Sequence, residues 1–253
     1  MSTISEKGGE LGKGARFDDA LLREAEVAFS SVHAGDARTV VPGVVVGAGV
    51  GAGACSEPAA VNWSQHYHAR MLHWVLRLEP TAGLALRLAA MAQHLGRYRY
   101  PRSDFDDGRA GYLAWRSHAA ARQAEAVDDI LEGLGADEPL RARVRAILLK
   151  QNLAHDPEVQ TLEDAACLVF FELEFEALSH KHDETTLLRV LRKTWKKMSK
   201  RGRREALSMA TTLPPTLQRI LQDALTRLDE GLDEGFGDAD GEHNGHGRGG
   251  SSV

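Results

Sequence analysis

Apolar residues recur along this chain at helical spacing. Leu21, Leu22, Ala25, Val27 and Phe29 follow Phe17 on one face and predict a helix that begins at Phe17 and stops at Gly35. Residues 63–78 predict a second helix, ended by Pro80. Residues 81–95 are apolar nearly all round, which places a third helix in the core, with Gly96 as its stop. A long helix is expected over 111–134, with Leu113, Ser117, Ala120, Ala124, Val127, Leu131 and Leu134 as its buried stripe. Further helices are expected over 139–149, from the His155–Glu158 turn to Leu178, and over 184–198 with Asp183 as N-cap. Ser199 caps a short one reaching Met209, and Pro214 opens the last. No segment alternates apolar and polar residues with a period of two, so no strand is expected. The fold class is all-α, one globular helical domain.

The stretches between helices set the domain bounds. Residues 1–16 mix charge and glycine and read as a flexible N-terminus; they have neither the apolar core of a signal peptide nor the Arg-rich, acid-poor pattern of a transit peptide. The helical domain spans 17–228 and carries a loop insertion at 36–60. Its Val40–Cys55 stretch, with Pro42 and five glycines, is too short and too broken for a membrane span of ~20 residues. Residues 229–253 have little to bury and read as a disordered acidic tail.

Composition narrows the setting. The chain has 253 residues and a net charge of −5, unlike the basic surplus usual in nucleic-acid binders. Its cysteines, Cys55 and Cys167, cannot make a disulfide framework or a multi-cysteine zinc site. A reducing, cytoplasmic compartment fits. Cys167 has apolar neighbours on its helix and reads as structural.

Polar groups on apolar faces are the informative exceptions, because burying them costs energy unless they find partners. His68 shares a helical side with Met71, Leu72 and Val75; His94 ends the apolar third helix; His118 lies beside Ala114 and Trp115. Asp164 begins the stripe Cys167, Leu168, Phe171, Phe175 and Leu178. Three imidazoles and a carboxylate on core-facing helices could converge on one divalent metal, Mn²⁺, Fe²⁺ or Zn²⁺. The competing reading is that each histidine hydrogen-bonds a carbonyl or offsets a helix dipole.

Two groups of cations point to an anionic partner. Arg97, Arg99, Arg102, Arg109 and Arg116 surround the polar loop at 97–108. Residues 189–204 carry nine Lys or Arg and no acid, Lys193, Lys196, Lys197 and Lys200 among them, with Trp195 in their midst. Arginine forks suit phosphate and carboxylate, so an anionic small molecule or nucleotide is the expected ligand and RNA a weaker one. Against this, a basic helix face can simply balance the seven acids between Asp229 and Glu242.

Two resemblances sharpen these expectations. The stretch Ala89-Ala90-Met91-Ala92-Gln93-His94-Leu95-Gly96-Arg97, with His68 upstream and Asp164 downstream, resembles the core of HD-domain phosphohydrolases. That resemblance implies an HD-like helical core and a metal-dependent hydrolase acting on a phosphorylated small molecule or nucleotide. Gln93 stands where the family has His, and His94 where it has Asp, which speaks against a two-metal site. His118 is similar to an extra His of some members. The strings "AQHLGRYRYPRSDF", "GYLAWRSH", "DPEVQTLEDAACLVFFELEF" and "LRKTWKKMS" resemble the domain of unknown function 4202 family over roughly residues 16–217. That family implies a compact helical domain without an established activity. Its pattern weakens His68 as a ligand and leaves His94, His118 and Asp164, with Glu163 as a candidate fourth. A non-catalytic module binding a nucleotide, RNA or protein on a degenerate HD-like scaffold is the alternative to the hydrolase.

"KMSKR" at Lys197–Arg201 resembles the lysine signature of class I aminoacyl-tRNA synthetases, and "QHLG" at Gln93–Gly96 is faintly similar to their His-rich signature. Members of the family sometimes carry a glutamyl-tRNA synthetase label for this reason. Those signatures act only when a parallel nucleotide-binding sheet sets both beside ATP, and no buried strands are expected here. That activity is rejected.

Overall fold

Helix α2, Trp63–Leu78, shows why this sequence folds as it does. Asn62 caps it, its side chain accepting the Gln65 N–H at 3.0 Å. Tyr67, His68, Met71, Trp74, Val75 and Leu78 then recur at three- and four-residue spacing and form its buried side. This computed structural model describes residues 7–41, 59–211, 215 and 218–222, with side chains from residue 17 onward.

Helix α1, Lys7–His33, precedes α2 and begins ten residues before the apolar periodicity at Phe17. It buries Leu21, Ala25 and Phe29. Thr39–Val40 (β1) and Val61–Asn62 (β2) then pair antiparallel, a minimal bridge across the base of the Gly/Val insertion that the sequence pattern did not foretell. Residues 42–58 lie outside the described residues, as do the acidic tail, Cys55 and Pro214.

Helix α3, Leu84–Ala92, is the central rod, shorter at both ends than the 81–95 expected. It packs against α1, α2 and α5 (Glu138–Leu148). Helix α4, Gly108–Gly133, lies against α5, and α6, Pro157–Val169, lies against α2. Asp137 and Asp156 cap α5 and α6, each with a proline in the first turn. Helix α6 does not run straight to Leu178. Residues Phe170–Glu174 form a π-helical turn before α7, Phe175–Ser179. The chain then turns into α8, Glu184–Lys197, and α9, Lys200–Ala210. The result is all-α apart from the two-residue bridge. No helix among the described residues is long and apolar enough to cross a membrane.

The carboxyl end of α3 positions the site. Three side chains from three other helices approach its last carbonyls: His33 Nε2 reaches the Met91 carbonyl at 3.2 Å, Gln123 Nε2 donates to Ala92 at 3.1 Å, and His68 Nε2 meets Gln93. These satisfy acceptors that a helix end leaves over. His94 follows in the left-handed region with φ 63°, a geometry that usually calls for glycine or asparagine. The loop beyond is tied back to α1 by Tyr98, whose hydroxyl donates to the Val32 carbonyl at 2.9 Å. Gly35 permits this approach, since a Cβ there would lie 2.2 Å from the Tyr98 oxygen.

Candidate ligand-binding site

The structure distributes the expected metal ligands instead of gathering them. His68 is buried, but its ring sits between the Ser64 and Gln93 carbonyls and stacks on His33 with centroids 3.5 Å apart. Burial and the neighbouring His33 hold its pKa well below the ordinary value, so the ring is neutral and has one N–H to share between two acceptors. His33 is likewise pushed down by burial, to about 4, against the Met91 carbonyl and Asp36. His118 is a correction to the core-facing expectation: it is exposed on α4, against the rings of Tyr100 and Phe105.

Asp164 is buried as expected but belongs to a different construction. One oxygen accepts the Ser199 N–H at 2.8 Å and the Gln160 amide at 3.0 Å, and the other accepts the Ser199 hydroxyl. That hydroxyl in turn accepts the Gly202 N–H at 3.1 Å. Asp164 and Ser199 together close the first turn of α9, and burial holds the Asp164 pKa above the ordinary carboxylate value. Glu163 faces Lys150, with Lys197 at 3.8 Å. Burial would raise its pKa, but Lys150, Lys197 and Arg116 outweigh burial and lower it. Among the described residues no three His, Cys, Asp or Glu side chains are grouped as a metal ion would require. The residues present therefore do not fit the expected metal centre.

One expected ligand remains on a site. His94 opens on to a cavity of about 250 Å³ lined by α2, the loop after α3, the π turn and α8. Its ring stacks against Tyr67 at 5.4 Å between centroids and makes no hydrogen bond to the protein among the described residues. Burial lowers its pKa strongly, assisted by Arg97 and Lys150, so its nitrogens stay uncharged. The π turn ends on Glu174 at the same cavity. Burial raises the Glu174 pKa despite the opposing Arg97 and Arg38. π-Helical turns and left-handed non-glycine residues are both unusual local choices that recur at functional sites, and here they face one space.

Aromatic walls and cations complete the cavity. Trp63, Tyr67, Tyr98 and Phe170 supply ring faces. Arg97, half-buried, lies over the Trp115 ring at 4.4 Å. Arg38 and Lys181 stand exposed at the rim. Arg38 is held by Asp36 at 2.5 Å, and Asp36 also accepts the Ser64 hydroxyl at 2.6 Å. Burial works to raise the Asp36 pKa, but these partners lower it to about 2.

Of the six cations expected to hold a ligand, only Arg97 lines this cavity. Arg102 donates to the Phe105 carbonyl at 2.8 Å and shapes the loop. Arg109 and Arg116 are exposed on α4, and Lys193 and Lys197 are exposed on α8. Sequence reasoning missed Arg38, Lys181 and Glu174. The signal for Glu174 was present: a carboxylate inside the apolar run "FFELEF". Arg38 and Lys181 lie in connections without a telling pattern.

No curated protein and no solved structure matches this chain at a significant level. The family profile described as a domain of unknown function, DUF4202, matches residues 54–221, which include α2 to α9 and every cavity residue named above except Arg38. The chain belongs to that family.

Proposed function

We propose that the cavity binds a phosphorylated small molecule bearing a flat ring, of the size of a mononucleotide or smaller. The observation that carries this reading is the coincidence of four aromatic rings with Arg97 and Lys181, neither of which is ion-paired among the described residues. Aromatic faces stack heterocycles, and Arg and Lys hold phosphate. Lys181 is exposed at the rim and Tyr67 is buried, so a phosphate would sit at the mouth beside Lys181. A volume of about 250 Å³ is at the low edge for small-molecule sites, which excludes a polymer strand from the interior.

Two rival expectations draw less support. The metal-dependent, HD-like hydrolase rests on His94, His118 and Asp164, with His68 as a weaker ligand, but His118 is exposed, Asp164 is engaged with Ser199 and both His68 nitrogens face carbonyls. RNA or protein binding on the basic strip is weakened because much of its charge serves the fold. Arg203 donates to the Trp195 carbonyl, Lys197 faces Glu163 and Arg201 faces Glu79.

Calorimetric titration with nucleoside monophosphates, ribose 5-phosphate and inorganic phosphate tests the reading. Saturable binding that weakens in Lys181→Ala and Arg97→Lys is expected. Absence of binding to all three probe types at millimolar concentration refutes it.

A further inference from the structure

Lys150 occupies a backbone position that lysine rarely takes. Helix α5 is closed by Leu149, and the Gln151 N–H returns to the Ala146 carbonyl at 3.0 Å. That closure sets Lys150 in the left-handed region at φ 54°, where glycine or asparagine is usual. Asparagine does stand at the other left-handed position of this loop, Asn152 at φ 56°. The strained residue delivers its ammonium to Glu163, a carboxyl only 4% exposed. His94 is the same case at the end of α3, the helix that packs against α5.

One cation would satisfy Glu163, yet three gather there. Lys197 Nζ stands 3.8 Å from its other oxygen, beyond hydrogen-bonding reach, so its donors stay available. Arg116, exposed on α4, makes no ion pair or hydrogen bond among the described residues. Beyond the effect of burial, Lys150, Lys197 and Arg116 all act on the charge of Glu163, and Lys150 and Arg116 act on His94 as well. The adjacent acid, Asp164, is taken by Ser199 and Gln160. Three cations against one carboxylate leave two positive charges without a side-chain counter-charge. The carboxyl ends of α3 and α5 offset part of this excess, at roughly half a charge each. They do not call for Arg116, which belongs to neither helix.

We propose that Arg116, Lys150 and Lys197 form a phosphate subsite beside Glu163, taking a phosphate dianion, free or esterified. The guanidinium fork and two ammonium groups can engage three oxygens of a phosphoryl group at once, which a carboxylate ligand cannot offer. Glu163 holds Lys150 in place and is a positioning residue. The subsite is separate from the cavity, whose lining contains none of the three cations; His94 borders the cavity and lies within the field of both Lys150 and Arg116.

Titration calorimetry of the full chain with inorganic phosphate, ribose 5-phosphate and acetate, at mildly alkaline pH, tests the subsite. Saturable phosphate binding is expected, with acetate far weaker. Arg116→Ala and Lys197→Ala should each weaken phosphate about tenfold or more, the scale of a charge-assisted hydrogen bond, with urea unfolding unchanged. Arg122→Ala, which removes an exposed arginine of the same helix paired with Glu125, should leave it unchanged. Where the cavity reading also holds, a second phosphate binds, sensitive to Lys181→Ala and not to Arg116→Ala. In Lys181→Ala, ribose 5-phosphate that still binds identifies an esterified phosphate as the occupant, and its exclusion while inorganic phosphate binds identifies free phosphate; both support the subsite. Equal weakening in Arg122→Ala, or acetate binding as tightly as phosphate, reduces the cluster to diffuse surface charge and overturns the proposal. Phosphate binding that responds to Lys181→Ala alone overturns it and leaves the cavity standing, and no phosphate binding at millimolar concentration overturns it outright.

Discussion

Replacing His94 with glycine and with alanine removes the same imidazole but does different things to the backbone. His94 sits at φ 63° as the residue that ends α3. A side-chain-bearing residue in that region costs about 1–2 kcal/mol, which glycine avoids. Glycine gives back about 0.5–1 kcal/mol through the larger entropy of its unfolded chain. His94→Gly should therefore be more stable than His94→Ala by about 1 kcal/mol, or roughly 2–4 °C in Tm for a chain of this size. The imidazole itself contributes through its stack on Tyr67 at 5.4 Å, about 0.5–1.5 kcal/mol. The unaltered protein and His94→Gly should thus be close in stability, with His94→Ala below both. Urea unfolding followed by circular dichroism measures the order. If the proposed site holds, both variants should lose about 3- to 10-fold in affinity for a nucleoside monophosphate probe, the scale of one hydrogen bond. Equal stability of the two variants would show that residue 94 is not held in the left-handed region. Unchanged affinity in both would remove the imidazole from the binding surface.

Three further outcomes follow from contacts elsewhere. A Cβ at Gly202 would lie 2.6 Å from the Asp164 carboxyl carbon, so Gly202→Ala should push the carboxylate off Ser199 and cost about 1–3 kcal/mol; in an Asp164→Ala background its effect should shrink below about 0.5 kcal/mol, and additivity in that double-mutant cycle would disprove the contact. His118→Ala should change unfolding free energy by no more than about 0.5 kcal/mol because the residue is exposed, and a loss beyond 1 kcal/mol would return it to the core. Lys150→Ala should cost about 2 kcal/mol at neutral pH by leaving Glu163 short of a partner. Since the Glu163 pKa is lower folded than its ordinary 4.5, its stabilisation is present above that pH and fades as pH falls through the folded value. The gap between Lys150→Ala and the unaltered chain should close on acidification; a gap independent of pH would refute the pairing.

Much of the fold was legible because caps and periodicity agree. Both bounds of α2 match the reading from sequence, α5 is shifted by one residue, and α8 and α9 differ by a residue at one end. The error at α4 has a physical origin. Its first half is rich in alanine, so the apolar period is weak there, and Leu113 suggested a phase that the fold does not use. Leu113 is 48% exposed, while Gly111, Trp115 and Ala119 form the true inner side, and His118 turns outward with that shift. Trp115 is drawn in by donating its indole N–H to the Tyr100 carbonyl at 2.8 Å, a tertiary bond invisible in the local pattern. Glu174 escaped for a related reason. The α6 stripe does continue to Phe171 and Phe175, which are buried, but it gives no place to Glu174, which the five-residue π turn sets on the cavity beside it.

The residues that looked most like chemistry divide according to whether the fold already uses them. "KMSKR" looks like a nucleotide-binding signature, but its serine caps α9 and holds Asp164, its first lysine faces Glu163, and its arginine lies 3.7 Å from Glu79. His33 and His68 look like metal ligands, but with Gln123 they supply partners to the last carbonyls of α3. A helix that ends inside a core needs such partners whatever the protein does, so burial of a histidine there is not evidence of chemistry. The same criterion selects what remains. His94 is displaced from that capping role by its left-handed backbone, and Glu174 from the α6 stripe by the π turn. Each has lost its structural employment through a local departure from regular helix, and both departures open on to the cavity that holds Arg97 and Lys181. Two independent irregularities thus share one destination, and that coincidence is what supports the proposed ligand site.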